Sequence, residues 1–364
     1  MAAQASLALP ATGALNLTPI ATFRRTRVLA WSGDTLYASR GYDLLRAQIM
    51  SDQINWQLVV SCVPSWLRSL SSRSRLGSRL FRDGFHSLAV LPSGDIVAAV
   101  PGAILALSPG EAEFTVTHRI TRGTRPLHFA VTADSRIYWG EYFDNRERCE
   151  VHVYASSDRG ASWNVAYIFP RGAIRHVHNI VYDRWADCLW VLTGDGGAEC
   201  RILRASCDFK TVETVLAGTQ QARAAALIPA ADAIYFSSDT PFELNYTYRL
   251  DRRGRLSRLA ALGSSSIYGC RVGPDLFFST MIEPSKTNSD CHARVYGSCD
   301  GCDWQSLLEW RKDKWPKGLF QYGNVIFPDG ENTSNVLALT SIAVAPGDQE
   351  TSLWRLEHRQ IRRK

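Results

Sequence analysis

The sequence predicts an all-β, seven-bladed β-propeller. Short strand-turn-strand phrases recur along the whole chain, the turns between them are rich in Gly, Asp and Pro, and no stretch carries sustained helical periodicity. The phrases open at Arg27, His86, His128, His178, Arg223, Tyr268 and Tyr322. Their starts lie roughly 40–60 residues apart, which leaves room for about four strands per unit, the size of one blade. Six blades is the alternative count. A lone four-stranded sheet of this composition cannot cover both of its apolar faces, so neighbouring sheets must stack radially.

Taken in order, each unit has an apolar strand, a tight turn and a second strand rich in aromatic and β-branched residues. Val28 to Trp31 lead into Gly33 and Asp34. Leu88 to Leu91 lead into Gly94 and Asp95. Phe129 to Val131 lead into Asp134, and Ile180 to Tyr182 into Asp183. In the fifth unit Ala224 to Ile228 lead into Pro229, in the sixth Tyr268 is followed by Leu276 to Thr280, and in the seventh Tyr322 by Val336 to Thr340. The seventh unit is short at its end, where Thr351 to Leu356 form its last strand, and the stretch from Leu17 to Phe23 is a spare strand. Pairing the two closes the ring without an exposed sheet edge. Residues 1–364 are accordingly expected to form one propeller domain, with 1–14 outside its ordered part.

The third unit contains Ser156, Asp158, Gly160, Ser162 and Trp163 in the order Ser-x-Asp-x-Gly-x-Ser-Trp. Partial copies stand at Ser298, Asp300, Gly301 and Trp304, at Ser206, Asp208 and Thr211, and at Ser51, Asp52 and Trp56. The Asp carboxylate of such a phrase accepts backbone N–H groups within a hairpin, Gly supplies the unusual backbone angle and Trp packs between sheets. This phrase resembles the Asp-box, or BNR repeat, of the sialidase-like propellers. The resemblance implies their architecture. It also implies a site of three arginines around a carboxylate, a Tyr/Glu nucleophile pair and an Asp acid. Arg24, Arg25, Arg27 and Arg223 are the available cations, but the Arg-Ile-Pro phrase expected near the start is replaced by Phe23-Arg24-Arg25-Thr26, so sialidase activity is not carried over.

Equivalent positions of a circular repeat converge on its axis. The seven unit starts therefore predict a ring of Arg27, His86, His128, His178, Arg223, Tyr268 and Tyr322 at one mouth, with His176, Gln321 and Arg271 beside it. Three chemistries are open to such a ring. The histidines can fill a polar channel through water and backbone hydrogen bonds. A His or Tyr can act as general acid or base beside an Arg that neutralises a carboxylate. Or His86, His128, His176 and His178 can hold one divalent ion. The loops after each second strand face the same mouth, and Glu141 and Glu283 stand out there because turns seldom require Glu. The candidate catalytic residues are thus His86, His128, His178, Tyr268, Glu141 and Glu283, and the candidate substrate contacts are Arg27, Arg223, Arg271, Gln321 and Tyr322.

With 11 Trp, 13 Tyr and 14 Phe and a net charge of +6, the chain has aromatic surface for sugar stacking and a mild preference for anions. The expected function is that of a carbohydrate-active enzyme, a glycoside hydrolase or polysaccharide lyase, acting on an acidic or complex oligosaccharide or polysaccharide, with no cofactor or one divalent metal ion. The alternative is a non-catalytic glycan-binding or protein-interaction propeller. The basic residues are too dispersed for a nucleic-acid face, and no apolar run is long enough to span a membrane. Nine unevenly spaced cysteines and a start without a basic leader segment point to free thiols in the cytoplasm.

Overall fold

The computed structural model describes residues 13–49, 53–62, 65–316 and 320–360, and these build seven sheets. Blade 1 comprises Arg27–Gly33, Thr35–Arg40, Asp43–Gln48 and Gln57–Ser61, from the axis outward. Blades 2 to 5 open on the inner strands Ser87–Val90, Ala130–Val131, His176–Asp183 and Ala224–Pro229, and each continues through three antiparallel strands in chain order. Blade 6 opens on Ser266–Val272 and carries Val344–Ala345 as an added outer strand. Blade 7 is composite: Asn324–Ile326, Val336–Ile342 and Glu350–Gln360 come from the C-terminal part, and the outermost strand, Gly13–Arg24, from the N-terminal part.

This composite blade closes the ring as the sequence predicts. Thr18 pairs with Arg355 and Phe23 with Thr351 in an antiparallel ladder interrupted by one bulge near Pro19. Two further bonds cross into blade 1. Thr351 Oγ1 donates to the Thr26 carbonyl at 2.7 Å, and the Val28 N–H donates to Thr340 Oγ1 at 2.9 Å.

The core is divided among the blade interfaces. Leu88, Ile96 and Val100 of blade 2 pack on Leu29, Tyr37 and Leu44 of blade 1. Comparable clusters fill every other interface, ending with Val336, Ala338 and Leu353 of blade 7 against Val28, Trp31 and Leu36 of blade 1. Second strands such as Ile96–Val100 and Cys188–Gly194 are buried at every residue because both of their faces are covered. Outer strands such as Thr115–Arg119 have no fully buried residue.

The Ser-Asp turns form between the third and fourth strands. Asp158 Oδ1 accepts the Ser162 N–H at 2.9 Å, and Ser156 Oγ accepts the Gly160 N–H at 2.8 Å. Gly160 has φ +87° and lies against the Val97 side chain, so a β-carbon fits there neither conformationally nor sterically. Asp300 repeats the pattern, accepting the N–H groups of Cys302 and Asp303, and Trp304 stacks on Phe278. The partial copy at Ser206 and Asp208 makes the same turn bonds. Ser51 and Asp52 of the fourth copy lie outside the described residues, as do residues 1–12. Because these turns close outer hairpins, they lie at the opposite end of the blades from the starts of the inner strands.

Two departures from the simple repeat shape the axis. After its inner strand, blade 7 sends Asp329–Asn332 inward. This segment pairs in parallel with Arg27–Gly33 and also contacts the inner strands of blades 2 and 6. Gly330, at φ +87°, packs onto the Trp31 carbonyl, an approach that only glycine permits. Between blades 1 and 2 stand two short helices, Trp66–Arg73 and Arg75–Phe81, capped by Ser65 and Ser74. Arg79 anchors them, fully buried between Asp313 (2.6 Å) and Asp348 (3.0 Å), while Trp66, Leu70 and Phe81 remain exposed. All nine cysteines are free thiols.

Removing residues 1–24 strips blade 7 of its outer strand. The expected outcome is an insoluble chain, or one whose cooperative thermal transition is lost. A truncated chain that melts at the full-length temperature contradicts closure by this strand.

Candidate functional site at the axial mouth

The inner strands bring their first residues together at one mouth, and the loops after the second strands fold over the same end. His128 stands just before the inner strand of blade 3, with Nδ1 3.0 Å from both carboxylate oxygens of Asp329. A carboxylate only accepts, so the Nδ1–H donates to it, and in the neutral ring Nε2 is the unprotonated nitrogen. The ring of Tyr268 meets His128 edge-on at 5.9 Å, and its phenol hydrogen-bonds Arg27. Burial lowers the pKa of Arg27, partly offset by Tyr268 and Asp329, and its Nε is buried without a hydrogen-bond partner among the described residues.

Arg125 and His86 complete this group around a cavity of about 40 Å³. Burial, together with Arg27 and Arg82, pushes Arg125 down to about 10. Burial, followed by Arg125 and Arg27, holds His86 neutral, well below the ordinary imidazole range. The His86 Nε2–H donates to the Arg82 carbonyl at 2.5 Å. Three guanidinium groups thus face one another with Asp329 as the nearby carboxylate. Such a chamber favours an anion, since each arginine's charge is raised in energy by burial and by its neighbours. A second pocket, of about 320 Å³, adjoins it and is lined by Arg25, Arg27, Arg40, Arg73, Arg82 and Gln321.

A second cluster lies on blades 4 and 5. His176 and His178 are both buried, and their Nε2 atoms are 3.1 Å apart. Each Nδ1 is fixed by a backbone carbonyl, that of Phe143 for His176 and that of Ala224 for His178, both at 2.9 Å. Asp195 follows the second strand of blade 4 and places Oδ1 3.3 Å from His178 Nε2 and 3.2 Å from Arg223. Its Oδ2 lies 2.8 Å from Arg175, which also pairs with Asp144. Burial works against the Asp195 charge, but His178, Arg223 and His176 overcome it and hold the carboxyl well below its usual range. Burial, then the neighbouring His178, lowers His176 to about 4. Buried Asp239 goes the other way. Desolvation, with Glu283 and Asp195 adding to it, raises its carboxyl to about 6 despite Arg223 and His178. Tyr142 lies over this cluster, its ring 4.3 Å from that of His176. Burial, then Asp195 and Asp239, raises its phenol to about 12. Tyr142 is also within electrostatic reach of Tyr268, which links the two clusters.

The predicted ring is therefore split in two. Arg27, His86, His128 and Tyr268 share the first group, while His176, His178, Arg223 and Glu283 belong to the second. A single ion held by His86, His128, His176 and His178 does not fit, because among the described residues only His176 and His178 of the four bring ring nitrogens close together, beside Asp195, while His86 and His128 turn to Arg82 and Asp329. Gln321 lines the arginine pocket, and Tyr322 is 40% exposed. Two expectations are corrected. Glu141 is buried in a two-pronged ion pair with Arg122 and also accepts the His152 N–H, so both of its oxygens are engaged apart from the two groups. Arg271 stacks on Trp185 and lines the wide channel of about 640 Å³ at the other end of the axis, because it comes five residues into its strand rather than at the start.

Asp329, Arg125, Arg82 and Tyr142 escape a reading of the repeat alone. Arg125 and Arg82 precede their unit starts by only a few residues and were within reach of it. Asp329 was not, because its position depends on an insertion that departs from the repeat.

No protein-family model matches the chain, and no curated protein matches it. Solved structures do match. The chain is similar to a chain in the crystal structure of the mitotic checkpoint complex (TM-score 0.56, 10% identity, 98% of this chain and 100% of that one). It is also similar to the WD40 β-propeller domain of Doa1 (TM-score 0.58, 10% identity, 93% and 96%). At such identities the likeness shows the fold alone, and it establishes the propeller without a sialidase-like family.

Asp239 gives a pH signature. A carboxyl with its folded pKa raised favours the folded state only while protonated. Its destabilising effect is therefore absent at about pH 4 and grows as pH rises through about 6, to about 3 kcal/mol at most. Asp239→Asn is expected to gain melting temperature over the parent at pH 7.5 but not at pH 4, as read by calorimetry. A gain that is the same at both pH values, or larger at low pH, contradicts this assignment.

Proposed function

We propose that this protein is a carbohydrate-active enzyme that binds an acidic glycan at the axial mouth and cleaves it by general acid–base chemistry, with β-elimination favoured over hydrolysis. The observation that carries the reading is the His128–Asp329 pair beside Tyr268 and beneath Arg27 and Arg125. In this scheme the arginines bind a uronate carboxylate and neutralise the charge that develops on it, which acidifies the adjacent carbon-bound proton. His128 Nε2, oriented by Asp329, removes that proton. The electron pair forms the new C=C bond, the C4–O bond breaks, and its electrons leave on the oxygen of the departing sugar. Tyr268 supplies that oxygen with a proton. The elevated carboxyl of Asp239 beside Glu283 is what a hydrolase acid would need, and it keeps glycoside hydrolysis as the variant of this reading.

A second reading, a non-catalytic protein-interaction propeller, is favoured by one observation. Trp66, Leu67, Leu70, Leu76, Leu80 and Phe81 expose between 42% and 72% of their surface on the helix pair, an apolar concentration unusual for a free surface.

Assays on uronic-acid oligosaccharides separate the two. Cleavage with the ultraviolet absorbance of an unsaturated uronate product is expected. His128→Ala and Tyr268→Phe should each lower kcat by about 10²–10⁴-fold with unchanged melting, and Arg125→Ala should chiefly raise KM. Full activity in His128→Ala, or glycan binding without turnover by the parent protein, overturns the enzymatic reading.

A further inference from the structure

We infer that His176, His178 and Asp195 form a binding site for one divalent transition-metal ion, of the zinc, manganese or ferrous class. The inference does not depend on the reading of the His128 group, since the two sets of residues are separate.

The first argument is protonation. Both Nδ1 atoms face backbone carbonyls at 2.9 Å, and a carbonyl only accepts, so both carry their proton on Nδ1. The two Nε2 atoms point at each other across 3.1 Å in a buried site, with Asp195 Oδ1 3.3 Å from that of His178. Their lone pairs repel unless a cation stands between them. Either a shared proton or a metal ion meets that requirement. The backbone bond to the far nitrogen is the arrangement that orients a metal-binding imidazole.

The second argument is distance. An ion with bonds of about 2.1 Å separates its adjacent ligands by about 3.0 Å in octahedral and about 3.4 Å in tetrahedral geometry. The spacings here are 3.1 Å between the two nitrogens, 3.3 Å from His178 Nε2 to Asp195 Oδ1 and 3.7 Å from His176 Nε2 to Asp195 Oδ2. One ligand atom from each of the three groups thus lies close enough to the others to share a single ion. Two imidazoles and one carboxylate suit zinc, manganese or iron(II) and leave the remaining positions to water or a ligand.

The third argument is charge. The immediate surroundings set the cations Arg146, Arg175 and Arg223 against the carboxylates of Asp144, Asp195, Asp239 and Glu283. The one carboxylate in excess leaves the site receptive to a bound cation. Asp239 Oδ1 is buried without a hydrogen-bond partner among the described residues, which fits a site that lacks positive charge. Arg175 and Arg223 hold the Asp195 carboxylate in place as its outer supports.

The competing group on the surface is Asp290, Cys291 and His292, whose Cys291 is exposed, and it serves as the internal control. The full chain is stripped with chelator and titrated with Zn²⁺ in a calorimeter and with Co²⁺ in a spectrophotometer. One equivalent is expected to bind with visible cobalt bands and a raised melting temperature. His178→Ala and Asp195→Asn should weaken binding by about 10²-fold or more, and Cys291→Ser should leave it unchanged. Asp195→Asn keeps the shape of the side chain, so it reports on the site even where His178→Ala fails to fold. Absence of stoichiometric binding to the parent chain overturns the inference, and so does binding that survives Asp195→Asn or disappears in Cys291→Ser.

Discussion

The pairing of Gly13–Arg24 with Glu350–Gln360 is the constraint on which the rest depends. Each blade interface buries an apolar cluster contributed by two sheets, so no blade is complete without both neighbours. An open ring leaves two such faces uncovered and an unpaired edge at blade 7. Joining the two ends of the chain in one sheet closes the circle, and only a closed circle fixes how far each inner strand stands from the axis. The chemistry at the mouth follows from that distance.

Closure also explains why the mouth holds so many buried charges. Seven inner strands begin within a narrow ring, so polar residues at their starts lose water and gain one another as neighbours. The first group answers with Asp329, brought in on the strand Asp329–Asn332 to face His128 and Arg27. The second answers with Asp195 and Asp239, brought in on loops to face His178 and Arg223. In both, burial and neighbouring charge pull pKa values apart: Asp195 is held low and Asp239 raised, and His86 and His176 are held neutral. Groups separated in this way are suited to exchange protons or bind ions at neutral pH.

The blade count, the closing strand and the convergence of unit starts were legible in the sequence because all three are consequences of periodicity. Arg27, His86, His128 and Tyr268 were found together for that reason. The division of the ring into two groups was not legible, because it depends on which partner each imidazole turns toward. His128 turns to a residue 201 positions away. Glu141 misled because an acidic residue placed to face the mouth was instead claimed by Arg122 of the preceding connection. Arg271 misled because nearness to Tyr268 in the sequence says nothing of depth along the axis, and three residues along a strand carry a side chain about 10 Å toward the far end.

The proposed elimination requires His128 to act as a base through Nε2, held in that tautomer by Asp329. Nitrogen NMR of the ring-labelled protein reads this directly. At neutral pH a protonated Nδ1 and an unprotonated Nε2 are expected for His128, with the preference lost in Asp329→Asn. A His128 ring protonated at Nε2, and indifferent to the loss of the Asp329 carboxylate, would contradict it.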